Sequence, residues 1–189
     1  MRIHVTRRKN KPIIRSRSPL VHRTILLSVM TNLSKILSLE NVQLDLEVSS
    51  KKRAFEQAGL IFENNCGIAR STVSDNLFAR ERLGSTGLGH GVAVPHGRIK
   101  GTKTLKSPLA AFVRLAEPFP FESPDGKPVN LLFFMLIPNH VTQRHLEILS
   151  EIAEMFSDDA LRTALTEDPD PRSVHARIIN WQPSLQAAG

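Results

Sequence analysis

Cysteine and long apolar runs are both scarce in this chain of 189 residues. The longest apolar run, Val129–Pro138, is interrupted by Asn130 and is far short of the roughly 18 to 20 residues that span a bilayer, so no membrane segment is predicted. The single cysteine, Cys66, excludes an internal disulfide and is typical of the reducing cytoplasm. Because asparagines and a glycine flank it, Cys66 is expected at a helix end or in a loop rather than as a nucleophile.

Acidic residues are absent from residues 1–29, which contain eight basic residues. The chain as a whole has 25 basic and 18 acidic residues, but residues 30–189 have 17 and 18. A formal charge of +7 would ordinarily favour an anionic partner such as nucleic acid or a membrane surface. Here the charge identifies a basic arm followed by a nearly neutral domain.

Three interpretations of residues 1–29 compete. A secretory signal is disfavoured because the apolar run Thr24–Met30 is too short and lies too far along the chain. A basic arm could bind nucleic acid or acidic lipid. The favoured interpretation is a disordered extension or an upstream start codon, because Met30 begins a new, regularly patterned sequence. Residues 30–182 are then predicted to form one domain, and residues 183–189 a flexible tail.

Hydrophobic periodicity predicts two helices in the first half of this domain. The first covers residues 51–64 and is capped by Ser50. The second begins at Ser71 or Thr72, with Asp75 completing a capping box, directs Leu83 inward and ends at Gly84.

Strand-like runs follow at residues 92–94, 110–115 and 129–137. The turn Ser123–Gly126 should pair the last two runs as a hairpin. Further helices are predicted over residues 142–156, from Ser157 or Asp158 to Leu165, and over residues 173–181. Helices, then a sheet, then helices predict an α/β fold in which a mixed β-sheet is sandwiched by helices in a single domain.

The segment Gly84–Arg98, GSTGLGHGVAVPHGR, contains five glycines and the dipeptide Pro95-His96. Glycines let backbone amides approach a ligand closely and form a concave set of N–H donors for an oxyanion. A histidine beside such donors can accept a phosphoryl group, transfer protons or bind metal. On residue chemistry alone, His96 is equally consistent with a phosphoryl acceptor and with a turn residue that follows a proline.

Several other chemistries lack their motifs. Gly87–Gly91 is not GxGxxG and precedes a strand, and no GK[ST] is present, which disfavours dinucleotide and P-loop sites. His90 and His96 are well separated and no HExxH or Cys/His cluster occurs, so no metal is expected. No serine lies in a GxSxG elbow, which disfavours a hydrolytic triad. No cofactor is expected either.

A longer pattern surrounds His96. Glu81, six residues, Leu88-Gly89, two residues and then Val92–Gly97 (VAVPHG) resemble the phosphorylation-site signature of enzyme IIA domains of the phosphoenolpyruvate-dependent phosphotransferase system, mannitol/fructose class. The stretches RERLGSTG at 80–87, SPDGKPV at 123–129 and HLEILS at 145–150 are similar to the nitrogen-regulatory branch of that family. The resemblance runs from about residue 30 to residue 181 and implies the mannitol/fructose enzyme IIA type of domain.

The resemblance implies that His96 accepts a phosphoryl group from the phosphohistidine of a small carrier protein. The family's second histidine matches His145, and its arginine sixteen residues before the phosphohistidine matches Arg80. Both would stabilise the phosphoryl group. From the residues alone, Arg80 could be a solvated charge on a helix and His145 a surface residue. Phe119 and Phe121 could belong either to a docking surface for the carrier or to the core.

The resemblance also implies a function. A regulatory phosphocarrier, whose phosphorylation state controls transporters or kinases in nitrogen or potassium regulation, is favoured by the similarity to the nitrogen branch and by the absence of a fused permease from the sequence. The alternative is an enzyme IIA component that passes phosphate to a sugar-specific IIB or permease. Nucleic-acid binding through the basic arm is the least favoured alternative. Either phosphotransfer role makes the protein a phosphoryl carrier of the cytoplasm rather than a turnover enzyme for a small molecule.

Overall fold

The computed structural model describes residues 32–100, 105–139 and 143–182. The predictions of a disordered extension or upstream start over residues 1–29, and of a flexible tail over residues 183–189, lie outside these ranges. Helices cover both faces of a six-stranded mixed sheet, which confirms the predicted fold class. Within the described ranges, no helix has both the length and the apolar character needed to cross a membrane.

The elements largely follow the predicted order, and the sequence prediction lacks only the first helix and three strands. In chain order they are α1 (Asn32–Ile36), β1 (Leu37–Leu46), α2 (Lys51–Cys66), α3 (Arg70–Glu81), β2 (Gly87–Gly89), β3 (Val92–Ala93), β4 (His96–Ile99), β5 (Leu109–Phe119), β6 (Val129–Pro138), α4 (Gln143–Met155), α5 (Asp159–Glu167) and α6 (Pro171–Ile179).

The strand order is β1-β5-β6-β3-β2, and β4 also pairs with β6. Strands β5 and β6 are antiparallel, with Phe112 opposite Phe133, which confirms the predicted hairpin. In its turn, the Gly126 N–H donates to the Ser123 carbonyl over 2.9 Å, and Gly126 adopts a φ of 69°. Strands β3 and β4 pair in parallel with successive parts of β6, so they are two segments of one interrupted strand.

The core has two halves, one on each face of the sheet. One half lies between the sheet and helices α1, α4, α5 and α6, and the other between the sheet and helices α2 and α3. Strand β6 is buried along nearly its whole length because both of its faces are covered. Phe119 and Phe121 are buried in the second half, so their placement in a docking surface is wrong and the core alternative is correct.

Helix α2 begins where its sequence predicts and ends two residues later than predicted, at Cys66. Ser50 Oγ accepts a hydrogen bond from the Arg53 N–H over 3.3 Å, and Cys66 is the last helical residue before Gly67, whose φ is 68°. The predicted start of α3 is wrong, because α3 begins at Arg70 and its N-cap residue makes no side-chain cap. Instead, the carboxylate of Glu63 on α2 accepts from the Arg70 N–H over 3.0 Å.

The predicted end of α3 also differs from the structure. The helix ends at Glu81, and Leu83 lies in the following turn with 83% of its surface exposed. The expectation that Leu83 points into the core is therefore wrong, because the helical periodicity does not extend to that position.

Candidate functional site

His96 is the first residue of β4 and is half-buried. It pairs with Met135 of β6, so the alternative that His96 is a turn residue is wrong. The next residue, Gly97, faces α3 so closely that an added Cβ would lie 3.0 Å from the carbonyl carbon of Asn76. Glycine at this position lets α3 lie directly on β4. This contact brings the last turn of α3 to the histidine.

The imidazole of His96 has a defined tautomer. Its Nδ1 lies 2.9 Å from the carbonyl oxygen of Val94, and a carbonyl can only accept, so Nδ1 carries the proton and donates. The break between β3 and β4, at Val94 and Pro95, puts this carbonyl within reach of the ring. The other nitrogen, Nε2, therefore carries the lone pair.

Arg80, in the last turn of α3, holds that second nitrogen. Its Nε donates to His96 Nε2 over 3.1 Å, and its Nη1 donates to the Gly84 carbonyl over 2.9 Å. A guanidinium has donors only, so Nε2 must be the acceptor, which agrees with the tautomer set by Val94. Arg80 is thus fixed by two hydrogen bonds rather than being a solvated charge.

His145 lies in the first turn of α4 and is half-buried. It is close enough to His96 for its charged form to lower the pKa of that imidazole. The structure thus places all three of the residues singled out in the sequence, Arg80, His96 and His145, around one site, from helix α3, strand β4 and helix α4.

The electrostatics of the site keep His96 neutral. Burial lowers the pKa of His96 below its ordinary value, and the electrostatic interactions with Arg80 and His145 act in the same direction. The hydrogen bond to Val94 and the carboxylate of Glu81 oppose this shift without reversing it. At neutral pH the imidazole therefore has an unprotonated electron pair on Nε2, which can attack an electrophile once the hydrogen bond from Arg80 gives way.

Two further residues of this region escape sequence reasoning. Glu81 is part of the sequence pattern but has no role deduced for it, and its carboxylate binds Thr86 and Lys51. Lys51 comes from the start of α2 and carries no local signal that would connect it with the site. Its ammonium lies 4.3 Å from the ring centroid of Phe121.

His90 does not join this site through any described contact. It lies in the turn between β2 and β3 with a φ of 52°, and its N–H donates to Asp125 over 2.8 Å. Among residues 32–100, 105–139 and 143–182, no group of three or more His, Cys, Asp or Glu could hold a metal ion.

The sequence is similar to a known family over most of its length. Residues 35–181 match the model described as "Phosphoenolpyruvate-dependent sugar phosphotransferase system, EIIA 2". The nitrogen regulatory protein of Pseudomonas aeruginosa is 37% identical over 154 residues, which cover 81% of this chain and 98% of that protein. The fructose-specific EIIA component of Haloferax volcanii is 30% identical and covers 77% of this chain and 93% of its own length.

Solved structures resemble the fold. The nitrogen regulatory protein IIA-Ntr from Neisseria meningitidis superposes with a TM-score of 0.71 at 46% identity, covering 76% of this chain and 97% of its own. The mannitol IIA of Escherichia coli superposes with a TM-score of 0.62 at 20% identity, covering 72% and 94%. At that identity the second similarity shows the fold alone.

Proposed function

The chain belongs to the EIIA 2 family of the phosphoenolpyruvate-dependent sugar phosphotransferase system, and within that family we propose that it is a regulatory phosphocarrier. Its phosphoryl acceptor is His96, its donor is a protein with a phosphohistidine, and its phosphorylation state controls target proteins. The observation that carries this proposal is the neutral imidazole of His96, whose Nε2 lone pair lies beside the guanidinium of Arg80.

The transfer step follows from this geometry. The Nε2 lone pair forms the new N–P bond while the N–P bond to the donor's histidine breaks and its electron pair returns to the donor's ring. No separate base is needed, because Nε2 carries no proton. The product keeps the proton on Nδ1, and the positive charge that develops on the ring is stabilised by the carbonyl of Val94.

Arg80 and His145 stabilise the transferring phosphoryl group. Its negative charge is spread over three outer oxygens in a loose transition state, so fixed donors beside the acceptor nitrogen accelerate transfer. As the group approaches, the Arg80 Nε–H turns from Nε2 to a phosphoryl oxygen, while Nη1 stays on Gly84. His145 supplies a second donor from helix α4, which covers the face of the sheet opposite to α3.

The carrier docks on the exposed surface around the site. Three large apolar side chains are exposed within the described ranges, at Leu83, Leu88 and Leu146. Leu83 follows the helix that carries Arg80, and Leu146 is adjacent to His145. Exposed leucines beside a charged centre suit a transient protein partner. They replace the two buried phenylalanines as the proposed contact surface.

A regulatory role is favoured over sugar transport by the relatives that are most informative about branch. The Neisseria structure, at 46% identity, and the Pseudomonas relative, at 37%, are both named nitrogen regulatory proteins, whereas the mannitol IIA is 20% identical. The alternative, onward transfer to a IIB component, is supported by a neighbouring structure that contains enzyme IIAMTL with phosphorylated enzyme IIBMTL.

The test of the acceptor is phosphorylation in solution. Incubation with phosphoenolpyruvate, enzyme I and the histidine carrier should add one acid-labile phosphoryl group, measured by intact mass. The variant His96→Ala should gain none, and the matched variant His90→Ala should be labelled like the wild type. Labelling of folded His96→Ala would contradict the assignment.

The regulatory role needs a separate experiment. Phosphorylated protein and the unphosphorylatable His96→Ala variant are used as baits, and the proposal expects a transporter or kinase that binds one form only. Transfer of the label onward from His96 to a IIB protein would instead support the sugar-transport alternative.

A further inference from the structure

The carboxylate of Glu81 is nearly buried, with 7% of its side chain exposed, and both of its oxygens are bonded. Oε2 accepts from the hydroxyl of Thr86 over 2.6 Å and from the Thr86 N–H over 3.2 Å. Oε1 accepts from the ammonium of Lys51 over 2.8 Å. The first two bonds close the loop between α3 and β2 into a ring that begins at Glu81 and ends at Thr86.

This ring contains the carbonyl that holds Arg80. Gly84 lies between Glu81 and Thr86, and its carbonyl oxygen accepts from Arg80 Nη1 over 2.9 Å. The far end of the ring is tied to the segment just before the histidine, because the Thr86 carbonyl accepts from the Val94 N–H over 2.9 Å. Glu81 therefore fixes the loop on which the orientation of Arg80 depends.

A carboxylate so close to a phosphoryl acceptor would repel the incoming anion unless its charge were cancelled. Lys51 supplies the cancelling charge. Its ammonium bonds Glu81 and also Glu122 over 3.0 Å, and it lies over the face of Phe121. Partial burial acts to lower the pKa of Lys51, but its hydrogen bonds to the two carboxylates outweigh burial and raise that pKa. The lysine thus stays charged at every pH of interest.

We propose that Glu81 and Lys51 are positioning residues for phosphoryl transfer: Glu81 orients Arg80 through the loop that carries Gly84, and Lys51 neutralises Glu81 so that the carboxylate does not repel the phosphoryl group. This inference rests on the proposed role of His96 as acceptor. Lys51 acts from helix α2 on Glu81 of helix α3, where the two helices pack together.

The test measures single-turnover phosphorylation of the full chain by the phosphorylated carrier, over a range of pH. Glu81→Gln is expected to reduce the rate about 10- to 100-fold, the scale of a small misplacement of a catalytic group. Because Glu81 raises the pKa of His96, its loss should also move the acid limb of the pH profile to lower pH. Lys51→Met should slow transfer. It should also move the acid limb to higher pH, because Glu81 then keeps its full charge and raises the pKa of His96 further. Loss of structure alone would not shift the two profiles in opposite directions.

Two comparisons keep the result specific. Glu122→Gln removes the other carboxylate bound to Lys51. The Glu122 side chain is 83% exposed, and this variant should accept the phosphoryl group at the wild-type rate. In an Arg80→Ala background, Glu81→Gln should have almost no further effect on the rate above the acid limb, because its effect on that rate passes through Arg80. The shift of the acid limb should remain, because Glu81 acts on the pKa of His96 directly. Should Glu81→Gln fail to fold, Thr86→Val, which removes only the hydroxyl bonded to Glu81, takes its place. Its expected loss of rate is smaller, because the bond from the Thr86 N–H to Glu81 remains.

Wild-type rates in folded Glu81→Gln and Lys51→Met would overturn the inference, and so would equal losses from Glu81→Gln with and without Arg80. Those results leave labelling of His96 intact and so do not affect the proposed function. Failure of the proposed function is recognised separately, by labelling of His96→Ala.

Discussion

Arg80 Nε donates a hydrogen bond to His96 Nε2 over 3.1 Å, although the two residues are sixteen positions apart and lie on different elements. The contact depends on Gly97, which lets the backbone of α3 approach β4 at the residue next to the histidine. A donor-only side chain is thereby held against the nitrogen that carries the lone pair. Loss of this hydrogen bond should slow phosphoryl transfer more than it lowers the stability of the fold.

Replacing Arg80 tests that relationship. Arg80→Ala should slow phosphorylation of His96 about 100-fold or more, the usual effect of removing one fixed donor to a transition-state oxygen. Arg80→Lys should recover only part of the rate, because an ammonium cannot reproduce the two-point attachment to His96 and Gly84. Rapid-quench kinetics give the rates. Arg53→Ala, at an exposed arginine on α2, serves as the control and should be unaffected.

His145 should contribute in two measurable ways. His145→Ala is expected to slow transfer about tenfold or more, because a hydrogen-bond donor to the charged phosphoryl group is lost. It should also raise the pKa of His96, since His145 acts to lower that pKa. The pKa is read by NMR titration of the His96 ring. His175→Ala, on α6, is the matched control, and equal rates in both histidine variants would remove His145 from the site.

The depressed pKa of His96 predicts a stability change in acid. The unfolded chain takes up this proton near pH 6.5, the folded chain only at lower pH, so the unfolded state binds more protons between the two values. The free energy of unfolding should therefore fall as the pH drops through this window and be unaffected above it. Urea unfolding of the wild type and of His96→Ala measures the difference. A difference that does not vary with pH would contradict the depressed pKa.

Phosphoryl acceptance should follow the same titration. Protonation removes the Nε2 lone pair, so transfer should stay fast to a lower pH than for free imidazole and then decline. The acid limb of the rate profile reports this pKa directly.

A buried arginine far from the site should matter for stability alone. Arg114 is 5% exposed. It donates to both carboxylate oxygens of Asp45 and to the carbonyls of Leu165 and Asp168. Arg114→Met leaves those carbonyls without this donor and should cost about 2 to 4 kcal/mol in the free energy of unfolding. Thermal or urea unfolding measures it. Arg177→Ala, at a half-exposed arginine bound to Asp168, should cost less than about 1 kcal/mol. Phosphorylation should survive both changes.

Much of the fold could be predicted because its elements have strong local signals. Helix α2 has a serine cap and a glycine end, and the β5–β6 hairpin has a turn whose residues dictate its shape. Strand β1 was not predicted because it buries a polar residue: Asn41 is 1% exposed and donates to the Ala110 carbonyl over 2.9 Å. Apolar and polar residues alternate on either side of Asn41, but the alternation changes phase at that residue, so neither half is long enough to predict the strand.

The start of α3 could not be predicted for a different reason. Thr72 and Asp75, at the spacing of a capping box, predict a local cap, but the Arg70 N–H donates to Glu63 of the preceding helix. The orientation of α2 against α3 decides this, and no local pattern contains it.

The candidate site divides in the same way. His96, His145 and Arg80 follow from residues whose spacing matches a known family. The contact of Lys51 with Glu81 joins residues thirty positions apart and exists only because two helices pack together. The sequence can identify a reactive group, but the charged residues around that group can be identified only from the folded structure.

The interruption between β3 and β4 limits how mutations can change this site during evolution. The acceptor that selects the tautomer of His96 is the main-chain carbonyl of Val94. Replacing the side chain of Val94 leaves that oxygen in the chain, so no single substitution deletes it. If a side-chain carboxylate held the histidine, one mutation could change which ring nitrogen carries the proton. Here the path of the backbone determines which nitrogen reacts. Mutation can alter the rate at this site far more readily than it can alter which nitrogen reacts.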